Sequence, residues 1–169
     1  ENFQAIREVG LDTIERLLRV ETFAHDPSVS LEKLDSIEEA AEVAGRRVSP
    51  LPRSNKRVRA QFNALIACHL ITGGFRNRDL KSRVAHLLGK MPDEITTNQM
   101  TYDLRRLRGH GIIQKVKGTN RYELTEEGLR LALFISRVER RVYRDGMAEL
   151  WDDDLVDSNM KHALQQFDR

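Results

Sequence analysis

The sequence has few of the residues that hold small or metal-dependent folds together. Cysteine occurs once in 169 residues, at Cys68, which excludes an internal disulfide framework and a zinc site built from several cysteines. Only four prolines and ten glycines are present, and 40% of the residues are hydrophobic, a composition typical of a folded domain. No apolar run approaches the roughly 20 residues that cross a bilayer. We therefore expect a folded protein of the reducing cytoplasm that does not bind membranes.

The sequence also lacks the spacings on which catalytic and cofactor sites depend. Its five histidines are scattered, without a His-x-x-x-His or Cys-x-x-Cys pair to hold a metal. Gly73-Gly74 is followed by Phe75, not by the Lys-Ser/Thr of a phosphate-binding loop. Cys68 and His69 are neighbours on a predicted helix and point about 100° apart, so Cys68 is interpreted as a packed apolar side chain. These absences predict no enzyme activity, no metal and no cofactor.

Charge is segregated along the chain, although the net charge is only +2. Residues 1–50 hold 6 Lys and Arg against 11 Asp and Glu, and residues 123–169 hold 7 against 11. Residues 51–122 hold 15 against 4, a net charge of +11. A basic centre between acidic flanks predicts a surface that binds a polyanion. The alternative is that the basic residues pair with the acidic flanks inside the fold.

Residues 1–48 are predicted as an N-terminal helical region. Apolar residues at helical spacing predict one helix over 1–23, with Gly10 as a candidate break, and a second helix over 31–44. The segment 49–55 contains two prolines and no periodicity, which predicts a linker. The first residue is Glu rather than Met, so we expect the sequence to be part of a longer protein.

Residues 56–145 have a tighter pattern, which predicts three helices, a hairpin and a long helix. These elements are expected over 56–71, 77–88 and 97–108 for the helices, 112–117 and 121–125 for the strands, and 126–143 for the long helix. Asn77, Thr97 and Thr125 are the expected N-caps. The long helix is apolar around nearly its whole circumference, which predicts burial by its own domain and by a partner. Residues 146–169 are predicted as an acidic, weakly helical tail.

The order of helix, helix, helix, hairpin and helix is that of a winged helix-turn-helix. Residues 97–113 have a polar first turn, then Leu104 and Leu107, then glycines and two isoleucines. Residues 118–129 read Gly-Thr-Asn-Arg-Tyr-Glu-Leu-Thr-Glu-Glu-Gly-Leu. These stretches resemble the recognition helix and wing of bacterial winged-helix regulators such as MarR-, PadR- and ArsR-like proteins, and the resemblance covers residues 56–145. It implies a mainly α fold with a small β-hairpin: a winged helix with an N-terminal helical extension and a long C-terminal helix.

The helix predicted over 97–108 has two distinct faces. At about 100° per residue, Met100, Leu104 and Leu107 share the buried face. The other side is polar and suits the major groove, where Arg can bond guanine and Asn or Gln can bond adenine. The alternative is the solvated face of an ordinary helix. The candidate DNA contacts on this helix are Asn98, Gln99, Thr101, Tyr102, Arg105 and Arg106.

Further candidate contacts lie on the predicted wing and at the start of the second helix. A short basic hairpin suits phosphates or an adjacent minor groove, and helix N-termini favour phosphate. These candidates are Lys115, Lys117, Thr119, Asn120 and Arg121 on the wing, and Arg76 and Arg78 on the helix. Lys56, Arg57 and Arg59 form either a clamp on the DNA backbone or a solubilising cluster.

The predicted function is sequence-specific binding of double-stranded DNA. The resemblance implies a transcriptional regulator, or the DNA-binding part of a larger bacterial protein. The N-terminal helices and the long 126–143 helix are expected to form a homodimer, since paired half-sites are the common way in which such domains gain affinity. The alternative is a winged helix that binds a protein partner or assembles a larger polypeptide, such as a replication or transposition factor.

Overall fold

The computed structural model describes residues 2–25 and 28–141, which are mainly helical with two small antiparallel sheets. The elements in chain order are α1 Asn2–His25, α2 Leu31–Glu38, β1 Ala41–Val43, β2 Arg46–Val48, α3 Lys56–His69, α4 Asn77–Leu87, a 3-10 helix Pro92–Glu94, α5 Thr97–Gly109, β3 Ile113–Lys115, β4 Tyr122–Leu124 and α6 Glu126–Val138. The predicted mainly α fold with a β-hairpin is confirmed at this level. The tail predicted over 146–169 and the expected end of the long helix near residue 143 lie outside the described residues.

One hydrophobic core draws on the helices α2 to α6 and on the β3–β4 hairpin. Leu34 and Ile37 of α2 are buried in the same cluster as Leu65 of α3 and Leu129 of α6. Leu51 lies in the segment predicted as a linker and is fully buried in this cluster. Contacts divide the chain into two units at residue 136, and each site described below lies within the first. Residues 49–55 are therefore a packed connection within one unit.

The N-terminal region differs from its prediction in two places. Helix α1 runs unbroken through Gly10, so the expected break is absent. The helix expected over 31–44 ends at Glu38 and is followed by the β1–β2 hairpin, in which Ala41 pairs with Val48. Ala44 and Gly45 form the turn with φ angles of 52° and 70°, the left-handed pair that a tight hairpin turn requires.

The N-cap of α5 is one residue earlier than predicted. Thr96 accepts a hydrogen bond from the Gln99 backbone N–H at 3.1 Å, and the Gln99 side chain accepts one from the Thr96 N–H at 3.0 Å. This reciprocal capping box makes Thr97 the first helical residue. The prediction for α4 is also wrong by one residue, since Arg76 takes the cap position expected for Asn77.

Thr125 and Gly128 join the second hairpin to α6. Thr125 Oγ1 accepts a hydrogen bond from the Gly128 N–H at 2.9 Å, which confirms Thr125 as the cap, and donates to the Gly111 carbonyl at 2.7 Å. A Cβ on residue 128 would lie 2.0 Å from the Ile112 carbonyl oxygen. Only glycine fits this close approach, which sets the position of α6 against the hairpin.

Replacing Leu51 by alanine tests whether segment 49–55 belongs to the core. We expect Leu51→Ala to lower the free energy of unfolding by about 2–5 kcal/mol, because it removes a fully buried side chain and leaves a cavity. The matched control is Leu31→Ala, since Leu31 is 76% exposed and its loss should cost less than about 0.5 kcal/mol. Urea unfolding measures both. Equal, small effects would mean that the segment is a free linker.

Candidate nucleic-acid interface

The buried carboxylate of Asp103 fixes α5 against α3. Asp103 is 4% exposed and accepts hydrogen bonds from Arg57 Nε at 2.9 Å and Arg57 Nη2 at 2.6 Å. Arg106 Nη1 lies 3.7 Å from its other oxygen. Two cations therefore surround one buried acid, which compensates the desolvation of the carboxylate. Arg57 is thus a structural partner of α5, and its side chain is only 28% exposed.

Residues 48–50 cover one side of α5. The Tyr102 hydroxyl donates to Ser49 Oγ at 2.8 Å, and His110 Nε2 donates to the Ser49 carbonyl at 3.0 Å. The Arg106 guanidinium donates to the carbonyl of Pro50 and lies 5.5 Å from the centroid of the Tyr102 ring. Burial is the main reason that the pKa of His110 is lowered, although its hydrogen bond to Ser49 opposes this shift.

Residues 48–50 cover part of the side of α5 that was predicted to face DNA and leave the rest exposed. The Arg106 side chain is 13% exposed and Tyr102 is 48% exposed, and both contact residues 48–50. Residues 48–50 can pack against α5 only because residue 109 is glycine, since a Cβ at 109 would lie 2.6 Å from Val48 Cγ2. The structure therefore separates Tyr102 and Arg106 from the rest of the predicted contacts on α5.

The side of α5 that stays exposed carries a row of polar and basic residues. Thr101, Arg105 and Arg108 follow one another at spacings of four and three residues, which places them on one helix face, and Asn98 lies beside them. Arg105 and Arg108 make no hydrogen bond or ion pair within the described parts of the chain. Arg108 was missed by the sequence analysis, although its spacing from Thr101 and Arg105 was a usable signal.

The start of α4 lies next to this row. The Asn77 side chain is 3.3 Å from Thr101 Oγ1 and donates a hydrogen bond to it. Arg76 and Arg78 flank Asn77 and are exposed, and the Arg78 side chain is 79% exposed. The first turn of α4 therefore presents two predicted cations beside the first turns of α5.

The β3–β4 hairpin is joined to the loop before α4. Phe75 and Tyr122 exchange backbone hydrogen bonds of 2.9 and 2.8 Å, and Arg121 Nη1 donates to the Gly74 carbonyl at 2.8 Å. Arg121 is thus engaged in the fold, and Thr119 Oγ1 is engaged in the turn, where it accepts from the Arg121 N–H at 3.1 Å. The predicted contacts on the hairpin that are exposed and not engaged in this way are Lys115, Lys117 and Asn120.

These exposed contacts lie on three elements that are hydrogen-bonded to one another, and together we call them the basic surface. It consists of Asn98, Thr101, Arg105 and Arg108 on α5, Arg76 and Arg78 on α4, and Lys115, Lys117 and Asn120 on the hairpin. The Asn77–Thr101 and Arg121–Gly74 hydrogen bonds connect its three parts. Of the other predicted contacts, Gln99 and Thr119 are exposed at its edges but serve as a cap and a turn residue.

Some basic residues serve the fold instead. Arg53 Nε donates to Glu38 at 2.8 Å, and the hydrogen bonds from Arg53 lower the pKa of the Glu38 carboxyl. This is a pair between the basic centre and the acidic N-terminal flank, as the alternative interpretation of the charge pattern expects. Arg59 donates to the carbonyls of Arg53 and Ser54 at 3.1 and 2.6 Å. Arg57 and Arg59 are thus bound to their own fold, whereas Arg105 and Arg108 of the basic surface make no such contact within the described residues.

The described residues also include one cysteine, which is buried. Cys68 is 1% exposed, and burial raises the pKa of its thiol to about 12, which confirms it as a packed side chain. Within residues 2–25 and 28–141, no group of three or more His, Cys, Asp or Glu side chains could hold a metal. No helix in this part of the chain is long and apolar enough to span a membrane. Comparisons with protein-family models, curated proteins and solved structures give no match to the chain.

Replacing Asp103 by asparagine tests its role in holding α5. We expect Asp103→Asn to lower the free energy of unfolding by about 2–3 kcal/mol, because Arg57 and Arg106 lose their shared partner. The matched control is Glu126→Gln, which breaks an exposed pair with Arg130 and should cost less than about 1 kcal/mol. Denaturant unfolding compares the two variants. A loss for Asp103→Asn no larger than that of the control would contradict this role.

Proposed function

We propose that residues 56–138 form a winged helix that binds double-stranded DNA. Helices α3, α4 and α5 correspond to its three helices, the β3–β4 hairpin to its wing, and α6 to the helix that follows. The observation that carries this proposal is the basic surface, because the exposed side of α5, the start of α4 and the hairpin all carry exposed polar or basic residues and are linked by hydrogen bonds. A duplex offers phosphates and base edges side by side, which suits neighbouring elements of this kind.

Helix α5 is the element we assign to the major groove. Its 13 residues span about 20 Å, and the groove is wide enough to admit an α-helix. Arg105 and Arg108 are long, exposed side chains able to bond guanine O6 and N7, and Asn98 is able to pair with adenine. Asp103 supports this assignment because its ion pairs fix the rotation of α5 and thus the side that it exposes.

The hairpin and α4 are the elements we assign to the DNA backbone. Lys115 ends β3 and Lys117 lies in the turn that follows it, and Arg76 and Arg78 stand at a helix N-terminus. Both positions suit phosphate through their charge, and the helix dipole adds to this at the start of α4. Contacts of this kind position a protein on DNA and carry little sequence information.

The biological role that follows is transcriptional regulation by a cytoplasmic homodimer that is not an enzyme. Two copies of one small domain gain affinity and specificity by binding two half-sites. A replication or transposition factor would use the same surface in the same way. If the basic surface does not bind DNA, the alternative of a winged helix that binds a protein partner takes its place.

Arg105 is the residue whose loss should affect specific binding most. We expect Arg105→Ala to weaken binding to a duplex selected from a random library by roughly 5- to 150-fold, the cost of one bidentate base contact, with an unchanged melting temperature. Fluorescence anisotropy measures the affinity. The control is Arg19→Ala, since Arg19 is an exposed arginine of α1 that pairs with Glu15. Equal affinities for the two variants would contradict the assignment of α5 to the groove.

Lys115 and Lys117 should determine the salt dependence of binding. On a random duplex, the logarithm of the affinity falls with the logarithm of salt concentration by about 0.9 per phosphate contact. We expect the double variant Lys115→Ala/Lys117→Ala to reduce this slope by about 2 and to weaken all sequences alike. Anisotropy titrations at several salt concentrations measure the slope, with Arg19→Ala again as the control. An unchanged slope would contradict the assignment of the hairpin to the DNA backbone.

A further inference from the structure

Helix α1 turns its apolar side away from the core. Seven large apolar residues of α1 are between 47% and 81% exposed: Phe3, Ile6, Val9, Leu11, Ile14, Leu17 and Leu18. At about 100° per residue, all but Ile6 and Val9 lie within about 60° of Ile14, so these five form one stripe. A contiguous exposed stripe of this size on a folded protein marks a surface that a partner covers.

The opposite side of α1 is the one that contacts the rest of the protein. Arg16 donates to the His69 carbonyl at 3.2 Å and to Glu123 at 3.4 Å. Phe23 packs against the core, and the Arg130 guanidinium lies 4.4 Å from the centroid of its ring. These contacts hold α1 in place and leave the apolar stripe of Phe3 to Leu18 outward, so no rotation of the helix is available to bury it.

We infer that this stripe is the interface of a homodimer, in which α1 pairs antiparallel with α1 of a second copy across a two-fold axis at Ile14. The inference rests on the homodimer of the proposed function and specifies how it is built. Under this symmetry, residue i stands level with residue 28 − i of the partner. Ile14 then meets its own copy. Leu11 and the partner's Leu18 lie on the same side of the pair, one residue apart in level. Gly10 and the partner's Leu17 lie on the other side in the same relation, and Gly10 leaves room for that leucine.

The charges on the stripe favour this antiparallel arrangement. Arg7 and Glu21 are exposed, lie within about 20° of Ile14 on the helix, and stand seven residues before and after it. Neither has an ion-pair partner within residues 2–25 and 28–141. In the antiparallel pair, Arg7 faces the partner's Glu21 at both ends. In a parallel pair, Arg7 would face the partner's Arg7, and Glu21 the partner's Glu21, which is repulsive.

The exposed area is sufficient for such a dimer. A large apolar residue has roughly 200 Å² of surface, so the exposed fractions of the five stripe residues leave about 590 Å² on each copy. A standard stable interface buries about 800 Å² on each partner. The flanking Arg7 and Glu21 side chains bring the paired surface to that size.

The first test is the mass of the full chain in solution, measured by light scattering and by sedimentation over a range of concentrations. We expect a dimer for the native chain and a monomer for Ile14→Glu, whose dimer affinity should fall by more than about 100-fold because two carboxylates meet at the axis. The control is Leu31→Glu, an apolar and even more exposed position outside α1, which should stay dimeric. Circular dichroism checks that each variant folds.

A charge cycle tests the antiparallel direction without disturbing the apolar residues. We expect Arg7→Glu and Glu21→Arg each to weaken the dimer about tenfold, since each places like charges at both ends of the pair. The double variant Arg7→Glu/Glu21→Arg should restore the native affinity within about threefold. A double variant as weak as the single ones would overturn the antiparallel register.

A native chain that is monomeric at every concentration would overturn the inference. That is the result expected if residues 142–169 of the same chain, or another protein, cover the stripe. DNA binding by the Ile14→Glu monomer separates this failure from failure of the proposed function. If the Ile14→Glu monomer keeps the native salt dependence of binding to a random duplex, the proposal that the basic surface binds DNA is supported even when the dimer is not.

Discussion

The burial of Asp103 between two arginines is the interaction on which the exposed surface of α5 depends. A carboxylate that is 4% exposed is costly to desolvate, and it is tolerated because Arg57 and Arg106 approach it from two directions. Arg57 belongs to α3, and Arg106 also reaches the carbonyl of Pro50. One acid thus links three parts of the chain and sets the rotation of α5. The exposed side of that helix is a consequence of this buried charge.

Residues 48–50 extend the same constraint. They begin with the last residue of β2, so the β1–β2 hairpin and the side of α5 that carries Tyr102 and Arg106 form one packed body. The acidic N-terminal region is therefore more than an appendage to the helices after it. It restricts which edge of α5 is accessible, and through Leu34 and Ile37 it shares their core.

The sequence predicts well where a local signal decides the structure. The apolar stripes of α3, α4 and α5, the turn at residues 118–120 and the cap at Thr125 all specify their elements within a few residues. It fails where the outcome depends on distant packing. The three-residue strands β1 and β2 are too short to show a period, and the alanines and glutamates before β2 favour a helix. The burial of Arg106 depends on a carbonyl 56 residues away, which no helical wheel can show.

Most of the candidate contacts were predictable for a related reason. Exposure on a helix follows from spacing, so Asn98, Thr101 and Arg105 could be found from the sequence, and Arg108 could have been. Which side chains of a helix are occupied by neighbours is a tertiary property. Arg106 and Arg121 illustrate this, since both carry the expected charge but donate their hydrogen bonds to backbone carbonyls of their own fold.

The depth of Cys68 has a practical consequence. The thiolate is the nucleophilic form of cysteine, and a thiol that is 1% exposed with a pKa raised to about 12 is almost never ionised at neutral pH. It is also the only cysteine in the chain. A cysteine introduced at an exposed position will therefore react with maleimide dyes or spin labels while the native one does not. Distances between labelled copies, or between protein and labelled duplex, become measurable without first removing a core side chain.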